Sequence, residues 1–600
     1  MTSQYAAELC ALLVEDNFGE LFARIFSTLQ RYDRLSLPRL KFYSRLSDRQ
    51  LRHGLSAMIQ HHLVYHYTSY DDGVTYYEPN LQAAYYLVRS GKILEFIEER
   101  LGKYAATLME TIMFLGHAQV GYLETLPELQ PAPPKANGVK QEAEGGESEE
   151  QMNGDDVHTS DQPALLHPTL KALASHGYIF RVRDAQFQSY ADNALDAERA
   201  IKSRPDVKQL KGKKLDETVL EGTVTLLKER LDGDLTRGLM HNGLPRGAKR
   251  RHGTGSADAT NKKARMDYLA IVVRVNYEKL DVALRNRRFL DLAEMNSSPV
   301  TAQVYEGLLR RIEYQTKQCR DSAEIPREGE EGEQYSVPIA LSAVTEEVDP
   351  QLDLAGSIGP MEISQAINKR GKRPLEDSVN GTDREGSEAP SRTYEVDQHL
   401  SLLSQPPYNL TSKRVLSGLI TWTVEFRHLA RKLRHLELER MIEARYGDVA
   451  LRVIRVLHAK GKLDEKRLQE ISLLPFKDLR QVLASMQSGG FVDLQEVPRD
   501  AQRQPSRTIY LWYYDPDRIR SSILEDTYKA MSRCMQRLRF ERNRLKEFLE
   551  KTERSDVKGN EERYLSQAEL TLLEQWKAKE ALLLGEVARL DEMVAVMRDY

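Results

Sequence analysis

Residues 18–64, FGELFARIFSTLQRYDRLSLPRLKFYSRLSDRQLRHGLSAMIQHHLV, return without a gap at residues 446–492 as YGDVALRVIRVLHAKGKLDEKRLQEISLLPFKDLRQVLASMQSGGFV. Adding 428 takes Gly19 to Gly447, Leu35 to Leu463, Arg39-Leu40 to Arg467-Leu468, Leu51-Arg52 to Leu479-Arg480, and Leu55, Met58 and Val64 to Leu483, Met486 and Val492. The chain therefore holds at least two copies of one small domain.

Each copy opens with apolar residues at helical spacing: Leu21, Phe22, Ile25, Phe26 and Leu29 in the first, and Val449, Val453, Ile454 and Leu457 in the second. A second helix is predicted near Ser36-Leu37-Pro38, where Ser can cap free amides and Pro suits the first helical position, and from Asp464 in the later copy. Ser47 and Gln50 have capping-box spacing ahead of a third helix, with Leu51, Leu55, Met58 and Ile59 on one face and Arg49, Arg52 and His53 on the other. The pattern then becomes strand-like at 63–70 and 74–78 around Asp71-Asp72-Gly73, and at 491–497 and 508–513 around the longer loop 498–507. Three helices followed by a two-stranded wing is the winged-helix plan.

A length of 600 residues suggests roughly four to six domains. The net charge of -4 excludes a uniformly basic nucleic-acid coat, so any DNA contact must come from local patches. Cys10, Cys319 and Cys534 are too scattered for a disulfide framework or a metal-ligand spacing, which fits a reducing compartment. No signal-peptide pattern opens the sequence and no apolar run approaches membrane-spanning length, so neither secretion nor a membrane is expected.

Between the two clear copies, Leu108, Ile112 and Leu115 run to Gly116, residues 118–123 form a short run, and Leu166, Leu170, Leu173 and Ala174 lead into the strand-like 178–182. After winged helix 1 over 1–85, this reads as winged helix 2 over 86–195, split by a disordered insertion at about 127–161. There Pro127, Pro131, Pro133 and Pro134 precede an acidic run with Glu147, Glu149, Glu150, Asp155 and Asp156. Residues 196–266 read as a linker with a helical segment and a basic loop. Winged helix 3 is expected over 267–440, beginning at Tyr268-Leu269-Ala270-Ile271-Val272, with helices near 277–294 and 300–320, a disordered insertion at about 322–394 and a resumption at 410–426. Winged helix 4 is placed at 441–515.

Beyond Asp515-Pro516, Leu524, Tyr528, Met531, Met535, Leu538, Leu545 and Leu549 alternate steps of four and three, with only Arg542 out of pattern. Leu573, Trp576, Leu583, Val587, Leu590, Val594 and Met597 keep the same alternation, with Glu580 out of place. Joined at Lys558-Gly559-Asn560, the two series predict an antiparallel helical hairpin over 516–600. The expected fold class is mainly α with small β wings: tandem winged-helix domains followed by a C-terminal antiparallel helical hairpin, a coiled coil.

The segments FGELFARIFSTLQRYDRLSLPRL, LSDRQLRHGLSAMIQHHLVYHY and VTYYEPN resemble the first winged helix of the large subunit in the heterotrimeric initiation subcomplex of RNA polymerase III, fungal type. YGDVALRVIRVL through FVDLQEVPRDAQRQPSRTIYLWYY resembles that family's last winged helix. The likeness covers most of the chain outside the two polar insertions. It implies a nuclear, non-catalytic polymerase subunit, related in its winged helices to general transcription factor E. Such a subunit would dock on the clamp region of the polymerase core and on the two smaller subunits of the subcomplex, act with initiation factors, and hold promoter DNA, mainly nonspecifically, as it opens.

Arg49 and Arg52 in the first copy and Lys477, Arg480 and Gln481 in the last are the exposed candidates for base edges, with Asp48 and Asp478 beside them. Such mixed charge favours a solvated or protein-docking face over base readout. Arg499, Arg503 and Arg507 on one wing loop are better placed for phosphate, although charged loops are usually just solvated. Lys249, Arg250 and Arg251 stand ten residues before Lys262, Lys263 and Arg265, the spacing of a two-part nuclear import signal or of a plain basic linker. Lys369-Arg370 and Lys372-Arg373 in the second insertion add to the import reading.

No Gly-rich phosphate loop, His-Glu-x-x-His pair or Gly-x-Ser-x-Gly elbow occurs, and no cofactor is expected. His61, His62 and His66 lie where a helix passes into a strand, so they read as structural rather than as metal ligands. Asp232-Gly233-Asp234 reads as a helix end and turn. The alternative class is a free-standing regulator binding a defined DNA site.

Overall fold

The structure is a computed structural model that describes residues 3–70, 72–130, 166–208, 212–235, 268–319, 334–354, 357, 392–416, 419–498, 508–554 and 557–600. It divides into two compact units, Met1–Tyr277 with Lys529–Ala588, and Glu278–Tyr528 with Arg589–Tyr600.

The internal repeat holds to the residue. Helices Glu20–Tyr32, Leu37–Ser44 and Asp48–Gln60 in the first unit match Asp448–Lys460, Glu465–Ser472 and Phe476–Ser488 in the second, each at the 428 offset of the sequence. Gly19 and Gly447 separate these triplets from the preceding helices Gln4–Phe18 and Phe426–Tyr446, with φ of +96° and +82° that a side chain would oppose. Leu40, Leu51, Leu55 and Met58 are buried, as are Leu468, Leu479, Leu483 and Met486. Even a small polar detail recurs: Ser44 Oγ donates to the Leu40 carbonyl at 2.6 Å, and Ser472 Oγ to the Leu468 carbonyl at 2.6 Å. The capping box forms, with Gln50 N donating to Ser47 Oγ at 3.3 Å and Ser47 N to Gln50 Oε1 at 3.0 Å. Ser36 and Asp464, expected to cap, make no side-chain cap bond. Ser36 is instead drawn into a ladder with Tyr76, and Asp464 follows Leu463, which bridges to Trp512. Val449 is 39% exposed, and Ala450 takes the inward place expected of it.

One sheet order recurs, with the last strand in the middle. Leu35–Ser36 and Val64–Thr68 flank Thr75–Pro79, and Ala118–Gln119 and Ile179–Arg181 flank Val272–Val275. In the second unit Ile339–Ala340 and Ser412–Leu416 flank Leu419–Thr423, while Asp493–Pro498 pairs with Thr508–Tyr513. In the first three sheets the short outer strand leads into the middle helix of a winged helix, and the hairpin forms its wing.

This topology corrects several boundaries. Val272–Val275, expected to open winged helix 3, instead closes the sheet of winged helix 2: Ile179 pairs with Val275 and Ala118 with Val273, and both valines are 1% exposed. The described part of the stretch read as a linker, 196–208 and 212–235, therefore falls in sequence between the two paired strands of the second wing. Helix Tyr190–Ser203 runs through the expected boundary and packs on helix Lys213–Leu231. The insertion expected at 322–394 contains a strand and helix Leu341–Glu347, and Ile339, Leu341, Val344, Val348 and Leu354 join the core around Trp422, Leu400 and Leu308. Apolar burial outweighs the polar composition there. Leu129, inside the first expected insertion, is also buried.

Helices Pro516–Arg544 and Gln567–Val594 form the hairpin. Within the first unit Arg542 reaches Glu580 at 2.9 Å and Lys551 reaches Glu569 at 2.5 Å, and partners that descend as the first helix ascends make the pairing antiparallel. Met531, Met535 and Leu538 are buried, and so are Leu573, Trp576 and Val587. The expected Gly-Asn turn is longer than its sequence suggested. The first helix gives way at Leu545 to helix Lys546–Thr552, and Gly559, with φ +86°, precedes a further turn, Glu561–Tyr564.

Candidate docking and nucleic-acid faces

Helix Asp48–Gln60 stands on its inward Leu51, Leu55 and Met58, which leaves Arg49, Arg52 and His53 exposed. Among the described residues, neither guanidinium has an ion-pair or hydrogen-bond partner. Nearby Lys41 is held by Asp48 at 2.9 Å. Phe42 is 78% exposed, and Tyr43 stacks on Tyr32 with centroids 4.0 Å apart. From 31 to 53 there are seven basic residues against two acidic, a net charge of +5.

The equivalent face of the last copy has diverged. From 459 to 481 there are six basic residues against four acidic, a net charge of +2. Arg480, the counterpart of Arg52, is tied to Glu465 and lies 5.7 Å over the Phe476 ring, and Leu37 occupies the place of that glutamate in the first copy. Lys477 is exposed and, among the described residues, unpaired. Exposed apolar residues precede it in the chain: Ile471 is 41% exposed, Leu473 81% and Phe476 43%. Leu473 sits in the left-handed region at φ +55°, a conformation that costs a branched side chain about 1–2 kcal/mol. The charges that attract phosphate are thus available in the first copy and partly neutralised in the last.

Arg499, Arg503 and Arg507 lie outside the described residues, as do Lys249, Arg250, Arg251, Lys262, Lys263 and Arg265 and the cluster at 369–373. The three histidines are packed against aromatic rings, and His66 shares Phe187 with His62, its ring centroid 6.1 Å away. His61 packs on Phe18 at 4.7 Å, while His62, 1% exposed, stacks on Phe187 at 4.7 Å with His117 edge-on at 5.2 Å. Burial foremost, then Arg274 and His117, push the His62 pKa down to about 2. Among the described residues, no group of three or more His, Cys, Asp or Glu is placed to hold a metal, and no helix is long and apolar enough to cross a membrane. Asp232 caps off helix Lys213–Leu231, Asp234 N donates to Asp232 Oδ1 at 3.3 Å, and the Gly233 carbonyl accepts from Arg181 N at 2.8 Å.

Sequence reasoning missed two features. One is the neutralisation of Arg480, whose signal was Glu465 fifteen residues earlier on the neighbouring helix. The other is Arg34, which pairs with Asp192 at 2.9 Å and lies over the rings of Tyr67 and Tyr76. No local pattern could have joined residues so far apart in sequence.

Three family models match the chain. One for the RNA polymerase III subunit RPC82 helix-turn-helix domain covers residues 8–68, one for RNA polymerase III subunit RPC82 covers 168–433, and one for the POLR3C C-terminal winged-helix domain covers 438–514. Among curated proteins, the chain is 96% identical to the DNA-directed RNA polymerase III subunit rpc3 of Aspergillus niger, over 100% of both chains. It is 74% identical to that of Aspergillus oryzae and 50% identical to that of Ajellomyces capsulatus, again over 100% of both chains.

Proposed function

Because the chain belongs to the RPC82 family and is an accessory subunit of DNA-directed RNA polymerase III, we propose that its two terminal winged helices divide the work of initiation. The first holds promoter DNA nonspecifically through the unpaired Arg49 and Arg52, and the last docks on protein through Ile471, Leu473 and Phe476. Its protein neighbours are the polymerase clamp region and the two smaller subunits of the initiation subcomplex. Nucleotide addition belongs to other subunits, and the protein works in the nucleus, entering through the basic clusters at 249–251 and 262–265. The free-standing regulator is not favoured, since the relatives are named as polymerase subunits.

One observation carries this division: among the described residues Arg52 has no ion-pair partner, while at the equivalent position Arg480 is neutralised by Glu465. Each phosphate-neutralising cation adds about 0.9 to the slope of log affinity against log salt on duplex DNA. In titrations of the full chain with duplex, Arg49→Ala with Arg52→Ala should lower that slope by about two, while Arg480→Ala should leave it unchanged. Equal losses from both substitutions would refute the division. Phe476→Ala should lower co-purification with the polymerase without altering DNA affinity.

A further inference from the structure

Lys529, Gln536, Arg539 and Arg542 lie along one edge of the first hairpin helix, and each meets the helix Gln4–Phe18 within the first unit. The Lys529 ammonium is 5.2 Å from the Tyr5 ring centroid, and Gln536 Nε2 donates to Glu8 Oε1 at 2.8 Å. Arg539 Nη1 donates to Glu15 Oε2 at 2.9 Å, and Arg542 Nη1 to Asp16. The partners ascend together, so the N-terminal helix lies parallel to the hairpin helix, more than five hundred residues away in sequence. Ala6, Leu9, Leu13 and Val14 are buried, and the N-terminal helix packs on Glu20–Tyr32 and Leu81–Tyr86 of the first winged helix. Three of these four contacts are polar, and both ion pairs stay in touch with solvent: the side chains of Arg539 and Glu15 remain 53% and 23% exposed, and those of Arg542 and Asp16 38% and 24%.

We propose that these contacts are a releasable electrostatic clasp between the two ends of the chain, which makes the first winged helix and the hairpin one docking body when closed and two when open. Ion pairs that stay in contact with solvent weaken as salt screens them, whereas apolar packing does not. The apolar face of Gln4–Phe18 therefore keeps it on the winged helix while its acidic edge lets the hairpin go. The docking role rests on the polymerase reading; the clasp rests on these contacts alone.

The test places spin labels at Arg24→Cys and Lys579→Cys, both exposed and outside the clasp, in the full chain with its three native cysteines replaced by serine. At about 0.05 M salt one narrow distance is expected, and at about 1 M salt a second, longer population. Glu15→Arg should enlarge that population at least about threefold at low salt, and adding Arg539→Glu, which leaves the Arg542–Glu580 pair intact, should restore the narrow distance. A distribution that ignores both salt and charge reversal overturns the clasp, as does a reversal that the reciprocal swap fails to repair. Absence of the native chain from purified polymerase would sink the docking role and leave these distances untouched.

Discussion

Arg542 donates to Glu580 across the helical hairpin at 2.9 Å, and these two residues are the breaks in the heptad patterns of their respective helices. Two apparent errors in the seam are thus one matched pair. Burial alone would lower the Arg542 pKa, but hydrogen bonding to Glu580 and the nearby Asp16 carboxylate outweigh it and hold the guanidinium charged. Because the two side chains remain 38% and 30% exposed, solvent screening keeps the coupling modest, about 0.5–1 kcal/mol. A double-mutant cycle with Arg542→Leu and Glu580→Leu should show that coupling, with the double variant closer to the native stability than Glu580→Leu alone. Additive single effects would show that the pair is incidental.

Gly54 and Ile25 are fitted to one another in a way that their repeat partners are not. A Cβ on Gly54 would come within 2.3 Å of Ile25 Cδ1, whereas both equivalent positions of the last copy are valine, Val453 and Val482. Gly54→Val should therefore destabilise the first unit by about 1–3 kcal/mol through overpacking, and adding Ile25→Val should recover part of the loss. Denaturant midpoints of the three variants decide this, and a neutral Gly54→Val would contradict the packing.

Leu473 keeps a branched side chain in a left-handed backbone while 81% exposed. Leu473→Gly should raise the stability of the last winged helix by about 1 kcal/mol by relieving the strained φ. If this face docks on protein, the same substitution should weaken retention on the polymerase during salt washes. Gain of stability with unchanged retention would remove Leu473 from the docking face.

His62 ties the stability of the first unit to pH. Its folded pKa, about 2, lies below the unfolded value of 6.5, so both states are neutral above 6.5 and stability is fully present there. As pH falls below 6.5 the unfolded chain takes up a proton that the folded protein refuses, and stability declines by up to about 1.4 kcal/mol per pH unit until the folded group titrates. Asn tolerates the left-handed φ of +56° at this position. His62→Asn should therefore lower Tm at pH 7.5 through lost stacking but flatten its fall between pH 6.5 and 5. Parallel pH profiles for native and variant chains would rule His62 out as the source.

The sequence by itself determined the repeat, its helix boundaries, the wings and the heptad seam, because each is written in contacts between near neighbours: Leu51, Leu55 and Met58 share one face of a helix whatever surrounds it. The tertiary structure alone decided what completes each element across long stretches of chain. Val272–Val275 alternates like the start of a new domain, yet it belongs to the sheet of Ala118–Gln119 and Ile179–Arg181, because two unpaired edges there need its amides and carbonyls. Val344 and Val348 sit in a stretch of polar composition but find the apolar surface of Leu308 and Leu400. Charge was the least legible property of all. Arg52 and Arg480 are the same residue at the same place in the repeat, and only the helix packed beside each decides whether its charge is free for a phosphate or already held by a glutamate.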